Sequence, residues 1–451
     1  MSKAATSTQT SLTKEQKQAV GLLSIGTFLE YFDLMRYVHM AVFLNELFFP
    51  KSDPHMESLL AAFAFCSTYL FRPFGALIFG YIGDNYGRKP TVIITTAMMA
   101  ISCFVIAILP AYAEIGITAS IIITLLRVMQ GLSSLAEVMG AQIYISEITK
   151  PPLQYSAVSI ISISAGLGAM MSLAIATPIV QGFGSWRYAF AFGILIALVG
   201  TKARTKLRES IDFVDAKRRF KSKLNAAKKC GYDGDIKKVM SASVVCNRVN
   251  IKNFLNFLGI YCGWPFSFYL IYIYFSSLLR STCGYSPNDV IFHNLFISIL
   301  QLLTSIVLTW LSRKIYPLII LKVTTIFAFM VLLITPIILN MEINNYIIFV
   351  IQALLIMFSL SVCPAAAVFI KHFPIFKRFT AVTLGYALSR AVMYIVVSFG
   401  LIYLVELFGF YGIWVLAFPM VILRINAIYH YSALEKSQGS YPVGGKLQNL
   451  H

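Results

Sequence analysis

The chain has 451 residues, of which 58% are hydrophobic and 12% charged, and a formal net charge of +18. A water-soluble globule carries about a quarter of its residues charged, so water is excluded as the main solvent of this one. Apolar stretches of roughly 20 residues, enough to carry a helix across about 30 Å of hydrocarbon, recur from end to end; such continuous runs exclude a membrane β-barrel, whose strands alternate apolar and polar.

Read in chain order between charged residues and Pro or Gly breaks, these runs predict helices near 20–45, 57–82, 90–110, 116–141, 155–180 and 187–201. After a basic stretch, further helices are predicted near 252–279, 290–312, 317–340, 345–370, 379–404 and 408–430. The expected fold is an all-α membrane protein with twelve transmembrane helices in two six-helix halves. The expected divisions are an N-tail (1–19), a first half (20–201), a connector (202–251), a second half (252–430) and a C-tail (431–451).

Charge placement sets the orientation. Of the 37 Lys and Arg residues, only Lys51, Arg187 and Arg280 fall on outer loops, with Arg424 and the basic residues after it assigned to the cytoplasmic end. Because basic loops resist translocation, both termini are expected in the cytoplasm and the chain in the cell (plasma or inner) membrane. The N-tail has no charged-then-apolar leader, so the first helix is expected to act as its own insertion signal. The connector, with Lys217-Arg218-Arg219 and Lys228-Lys229, reads as a positive-inside linker or as a binder of anionic lipid headgroups. Since the positive charge follows the loops, no nucleic-acid partner is expected. The seven cysteines form no C-x-x-C pair and read as packing residues.

An ionisable group at mid-bilayer costs several kcal/mol unless it faces protein or water, so each is a functional candidate. At 100° per residue, Gly26, Glu30, Asp33 and Tyr37 fall within about 60° of one another, which puts two carboxylates on one helix face. Two like charges one turn apart suit a proton site that works near neutral pH; the competing reading is that they neutralise Arg36, Arg72 or Arg127. In the fourth span Arg127, Gln130, Ser134 and Glu137 share a stripe, with Arg127 placed either for a substrate carboxylate or for Glu137. Arg72 lies mid-span before Pro73, and Arg390 is the deeply placed charge of the second half. The histidines are scattered, so no metal is expected. No G-x-x-x-x-G-K-[ST] run occurs, so no nucleotide or other cofactor is expected and a gradient must supply the energy. No nucleophile or metal constellation suggests an enzyme.

The turn after the second span reads Gly80-Tyr81-Ile82-Gly83-Asp84-Asn85-Tyr86-Gly87-Arg88-Lys89. It resembles the signature loop of the major facilitator superfamily, G-x-x-x-D-R-x-G-R-K, with Asn85 in place of the first arginine. Gly87 permits a tight turn, Arg88 and Lys89 hold the loop inside, and Asp84 suits a neighbouring helix terminus. Phe28-Leu29-Glu30-Tyr31-Phe32-Asp33 resembles the F-x-E-W-[YF]-D segment of the metabolite:proton symporters, the subgroup of proline/betaine and α-ketoglutarate permeases. Arg127-Val128-Met129-Gln130-Gly131, continuing to Glu137 and Gly140-Ala141, is similar to that subgroup's fourth-helix motif; Phe71-Arg72-Pro73-Phe74-Gly75, Trp186-Arg187 and Arg208-Glu209-Ser210 also fit. The resemblance covers residues 20 to 212, while Arg36, Ser134 and Leu135 depart from the pattern.

What the resemblance implies is a rocker-switch transporter with a midplane site between two halves, acting as a proton symporter of a small polar metabolite. Carboxylates beside Arg127 suit a zwitterion, and aromatic faces suit a quaternary ammonium, so a proline- or betaine-type osmolyte leads. A dicarboxylate or α-keto acid follows if Arg36, Arg72 and Arg127 all face the cavity. A non-transporting receptor or scaffold on the same fold is the alternative of another class. The proton candidates are Glu30, Asp33 and Glu137; the substrate candidates are Arg127, Arg72, Tyr37 and Gln130; a monomer in the bilayer is expected.

Overall fold

The computed structural model describes residues 9, 11–39, 47–48, 69–180, 187, 218, 248–341 and 344–442. The predicted sixth span and the connector fall outside these apart from Arg187, Arg218 and the stretch from 248, as do the side chains of Arg36, Tyr37, Arg88 and Glu137. The first half contributes α1 (Lys14–His39), α2 (Arg72–Asn85), α3 (Arg88–Ile108), α4 (Ile117–Ile148) and α5 (Leu153–Val180). The second half contributes α6 (Ile251–Cys283), then α7 (Pro287–Leu311), α8 (Pro317–Met341), α9 (Asn345–Met357), α10 (Arg378–Phe408) and α11 (Gly412–Ser437). Among the described residues, seven helical stretches are long and apolar enough to cross a membrane, which makes this a multi-pass membrane protein. Large apolar side chains point outward on every side, among them Phe74, Leu125, Leu303, Ile326 and Leu407, and polar ones inward; lipid in place of water is the solvent such a surface fits.

The helix ends follow from local chemistry. Ser286 and Asp289 form a reciprocal capping box ahead of α7, with Pro287 in its first turn. Gly87 makes the α2–α3 turn at φ 132°, a backbone angle that side-chain-bearing residues rarely adopt. Several predicted boundaries are corrected. α1 begins earlier, at Lys14 rather than residue 20, and α4 and α11 run on to Ile148 and Ser437, because helix continues past the apolar window into more polar sequence. The span predicted over 345–370 is helical only to Met357; the chain is then irregular until the short helix Ala366–Ile370. Pro364 keeps the helix from resuming over Leu360–Cys363, since it has no N–H to donate to the Leu360 carbonyl and disfavours helix at the residue before it. α6 is also irregular, with a π turn at Tyr269–Tyr274.

The halves meet along α2 against α10 and α5 against α7. Small residues let the backbones close: a Cβ on Gly80 would lie 2.8 Å from the Thr380 Cα, and one on Gly83 would lie 2.7 Å from the Phe379 ring. At this end Asp84 accepts hydrogen bonds from the backbone N–H of Phe379 (3.1 Å) and of Thr380 (2.9 Å). The signature loop of one half therefore caps the first turn of α10 in the other, where helix N–H groups lack internal partners. Arg378 pairs with Glu147 across the same seam at 3.1 Å, and the Tyr155 and Tyr316 rings meet edge to face at 5.9 Å. Asn85 turns back to donate to the Tyr81 carbonyl of its own helix at 2.9 Å. The seam is thus closed at the signature-loop end in this structure.

Asp84→Ala removes a cap on the order of 1–2 kcal/mol, roughly a tenfold shift in the closed population. In a cysteine-free background, a single cysteine at Val138 should then be alkylated from the cytoplasmic side about ten times faster; an unchanged rate would show that the cap does not hold the seam.

Candidate functional site

Between the halves lies a cavity of about 140 Å³ whose walls come from α1, α4 to α9, the broken segment after α9, and α10. α1 supplies Tyr31, α6 supplies Tyr261, Trp264, Phe268 and Tyr272, and α10 supplies Tyr386 and Arg390. Hydrogen bonds fix part of this wall: the Tyr272 hydroxyl donates to Gln301 Oε1 at 2.8 Å and accepts from Ser298 at 3.2 Å. Phe268 packs against Tyr272 at 5.2 Å between ring centroids. Among the described lining residues, Arg390 is the one that carries a full charge.

Arg390 is 6% exposed. Its guanidinium lies 3.4 Å from the centroid of the Tyr386 ring, one turn earlier on α10. Nη1 is buried without a hydrogen-bond partner among the described residues. A buried donor left unsatisfied costs about 1–3 kcal/mol or more when charged, and an anionic ligand group in the cavity removes that cost.

The broken segment adds polar groups. Ser359, Ser361 and Cys363 line the cavity, and the segment is tied down on several sides. The Leu360 N–H donates to Ser267 Oγ at 3.2 Å, and Ser159 of the first half donates to the Pro364 carbonyl at 3.4 Å. Arg424, 1% exposed, donates Nη1 to the Ser361 carbonyl and Nε to Thr325 Oγ1, both at 2.8 Å. This corrects the assignment of Arg424 to the cytoplasmic end: it lies midway along α11, and its partners are Thr325 and irregular backbone, which is tolerated in a membrane protein where it lines a cavity.

The residues singled out in the first half lie elsewhere. Glu30, Asp33, Arg72, Arg127 and Gln130 are all buried at 4% exposure or less, yet none is on the cavity wall. Three of them gather where α1, α3 and α4 meet. Cys103 Sγ donates to Asp33 Oδ2 at 3.0 Å, Arg127 Nη1 to Gln130 Oε1 at 3.1 Å, and Gln130 Nε2 approaches Cys103 Sγ at 3.6 Å. Arg72 stacks over Tyr69 at 4.4 Å, and Tyr69 in turn packs on Tyr394 of α10 at 4.2 Å between centroids. Tyr37 and Glu137 are outside the described side chains. Sequence reasoning noted Arg390 for its depth and passed over the segment around Pro364, although a proline after Ser-Leu-Ser-Val-Cys inside an apolar run is a breaker signal.

Fold and cavity together define a polytopic helical membrane protein built from two halves around a central site. The chain belongs to the major facilitator superfamily, whose model matches residues 23–398. It is 28% identical over 280 residues to the proline/betaine transporter of Salmonella typhimurium, covering 60% of this chain and 54% of that one. It is 27% identical over the same length to the glycine betaine/proline/ectoine/pipecolic acid transporter OusA of Dickeya dadantii, again covering 60% and 54%. It is 34% identical over 206 residues to a putative proline/betaine transporter of Staphylococcus aureus, covering 44% of each chain. The chain thus spans about half the length of the curated relatives it matches. Among solved structures, the proton:xylose symporter XylE superposes with a TM-score of 0.70 at 15% identity over 93% of this chain and 95% of that one. The human organic anion transporter MFSD10 gives 0.64 at 12% identity over 93% and 100%. These likenesses show the fold, and the family is one of transporters rather than enzymes.

Arg424→Gln strips a charged donor from two buried acceptors, a loss of about 1–3 kcal/mol. The apparent unfolding midpoint in detergent should fall by several degrees, with Arg424→Lys intermediate because a single ammonium lacks the fork that bridges both acceptors. Equal midpoints for Gln and the parent would show that the segment needs no such post.

Proposed function

We propose that this protein is a secondary active transporter that couples proton entry to uptake of a small zwitterionic or carboxylated metabolite, with a proline- or betaine-type osmolyte as substrate. The observation that carries the reading is the cavity wall: one buried guanidinium with an unsatisfied N–H, set among tyrosine, tryptophan and phenylalanine faces. A guanidinium binds one carboxylate in a planar fork, and aromatic faces attract a cation by about 0.5–2 kcal/mol. Those are the two poles of an amino acid or a betaine. The volume of about 140 Å³ is close to that of an engineered cavity of roughly 150 Å³ that takes up benzene, so a compact molecule fits. The relatives named for proline and betaine support the same class.

A dicarboxylate or α-keto acid ranks second because Arg72 and Arg127 are not on the wall, which leaves a second carboxylate without a cation among the described lining residues. The proton is assigned to Glu30 and Asp33, buried together on α1, with Glu137 as the further candidate. No cofactor takes part, and the gradient supplies the work. Uptake across the cell membrane with both termini inside accords with the basic cytoplasmic loops. A single chain, as a monomer in the bilayer with anionic lipid at its connector, is the working unit.

Two sets of variants test this in proteoliposomes. Arg390→Ala should weaken half-saturation for proline or glycine betaine at least tenfold, and Arg390→Lys should recover part of it; unchanged half-saturation in both rejects the anchor. Glu30→Gln or Asp33→Asn should abolish accumulation driven by a pH gradient while exchange continues. Normal accumulation in both rejects the proton assignment, and failure to move any of a broad metabolite panel despite measurable binding points instead to a receptor or scaffold.

A further inference from the structure

The proposed substrate anchor and the proposed proton acids are on different elements, and one contact joins them. Tyr31 follows Glu30 directly on α1 and lines the cavity. Its hydroxyl meets the Tyr386 hydroxyl of α10 at 3.1 Å, across the boundary between the halves. The Tyr386 ring, 3% exposed, is the surface on which the Arg390 guanidinium lies at 3.4 Å, and Tyr261 of α6 braces it edge-on at 5.6 Å.

We propose that the Tyr31–Tyr386 hydroxyl pair is the link through which occupancy at Arg390 is read by the acids of α1. A carboxylate must engage the N–H edge of a guanidinium, so a ligand that draws Arg390 toward itself changes the stack on Tyr386 and with it the position of the Tyr386 hydroxyl. Tyr31 transmits that change to α1, because its partner across the seam has moved while its own backbone is fixed: α5 packs on α1 with Gly168 against the Phe28 carbonyl. In the reverse direction, a proton arriving on Glu30 or Asp33 changes the charge beside Tyr31, and by linkage the affinity at Arg390 shifts by the same free energy.

Among the described residues, the ionisable groups around these acids include Cys103 of α3, bonded to Asp33 at 3.0 Å, and Arg127 of α4, bonded to Gln130 at 3.1 Å. α2 brings Tyr69 and Arg72 against Tyr394 of α10, and α5 carries Tyr155 at its cytoplasmic end. None of these lines the cavity. Tyr31 is therefore the ionisable side chain of α1 that touches both the cavity and the opposite half among the described residues.

The inference rests on the reading that α1 holds the coupled proton, and its test separates the two. Tyr31→Phe and Tyr386→Phe keep the rings and their packing and remove the hydroxyls alone. With the full-length chain in proteoliposomes and labelled proline or glycine betaine, the ratio of pH-driven accumulation to gradient-free exchange should fall at least tenfold in each, and the double variant should be no worse than either single one. A purely structural role would lower accumulation and exchange together. A substrate-free readout runs alongside: cytoplasmic alkylation of Val138→Cys, in a background that keeps only the buried Cys103 bonded to Asp33, should vary with pH and lose that dependence when either phenylalanine substitution is added. The link is overturned if Glu30→Gln and Asp33→Asn lose accumulation, or lose the pH-dependent labelling, while the phenylalanine variants keep the parent ratio and labelling profile. If both acid variants behave as the parent, the proton assignment falls and the link falls with it.

Discussion

The cost of holding charge in a medium that cannot solvate it organises this molecule. Glu30, Asp33, Arg72, Arg127, Arg390 and Arg424 are all buried in the helical bundle, where an isolated charge costs several kcal/mol. Asp33 is met by a thiol donor, Arg127 by an amide, Arg72 and Arg390 by aromatic faces, and Arg424 by irregular backbone. Two of these devices tie one span to another, Cys103 of α3 to Asp33 of α1 and Arg424 of α11 to the segment after α9, while Arg390 lies on a ring that itself contacts the opposite half. They also leave a difference between the halves. The described charges of the first half lie off the cavity wall, Arg72 among them with Nε and Nη2 lacking a hydrogen-bond partner among the described residues, whereas Arg390 faces the cavity with Nη1 likewise unsatisfied.

The two halves are joined by contacts of two kinds. At the signature-loop end, small residues and a carboxylate cap bring α2 against the start of α10, and Arg378 reaches Glu147. At mid-depth the contacts are aromatic: Tyr31 with Tyr386 and Tyr69 with Tyr394. α10 takes part in both. A helix that caps one gate at its first turn and carries the site's charge a few turns on is placed to connect the site with the gate, provided it moves as a rigid element.

Much of the fold was legible in the sequence, because lipid imposes long apolar runs and basic loops that composition alone reveals. The Gly80 to Lys89 turn identified the superfamily from ten residues, and the positive φ of Gly87 shows why glycine stands there. The site was less legible. Helical spacing brought Glu30 and Asp33 to one face, but spacing does not say whether that face meets the cavity or the neighbouring helices of its own half. Arg390 is visible as a charge at depth, yet its setting comes from cavity residues such as Tyr31 and Tyr261 that lie far from it in the chain. The break before Pro364 was hidden by the apolar content of its surroundings, which satisfies a hydropathy window whether or not the backbone is helical.

The central claim is that a single guanidinium in an aromatic cavity selects one carboxylate joined to a compact cationic or apolar body. Its most direct test is ligand-induced thermal stabilisation of the purified parent and of Arg390→Ala, with proline, glycine betaine and a series of dicarboxylates as ligands. The account predicts that proline or glycine betaine raises the parent's midpoint, that dicarboxylates do not, and that the alanine variant loses the response. Stabilisation by dicarboxylates alone, or an equal response from the alanine variant, would contradict it.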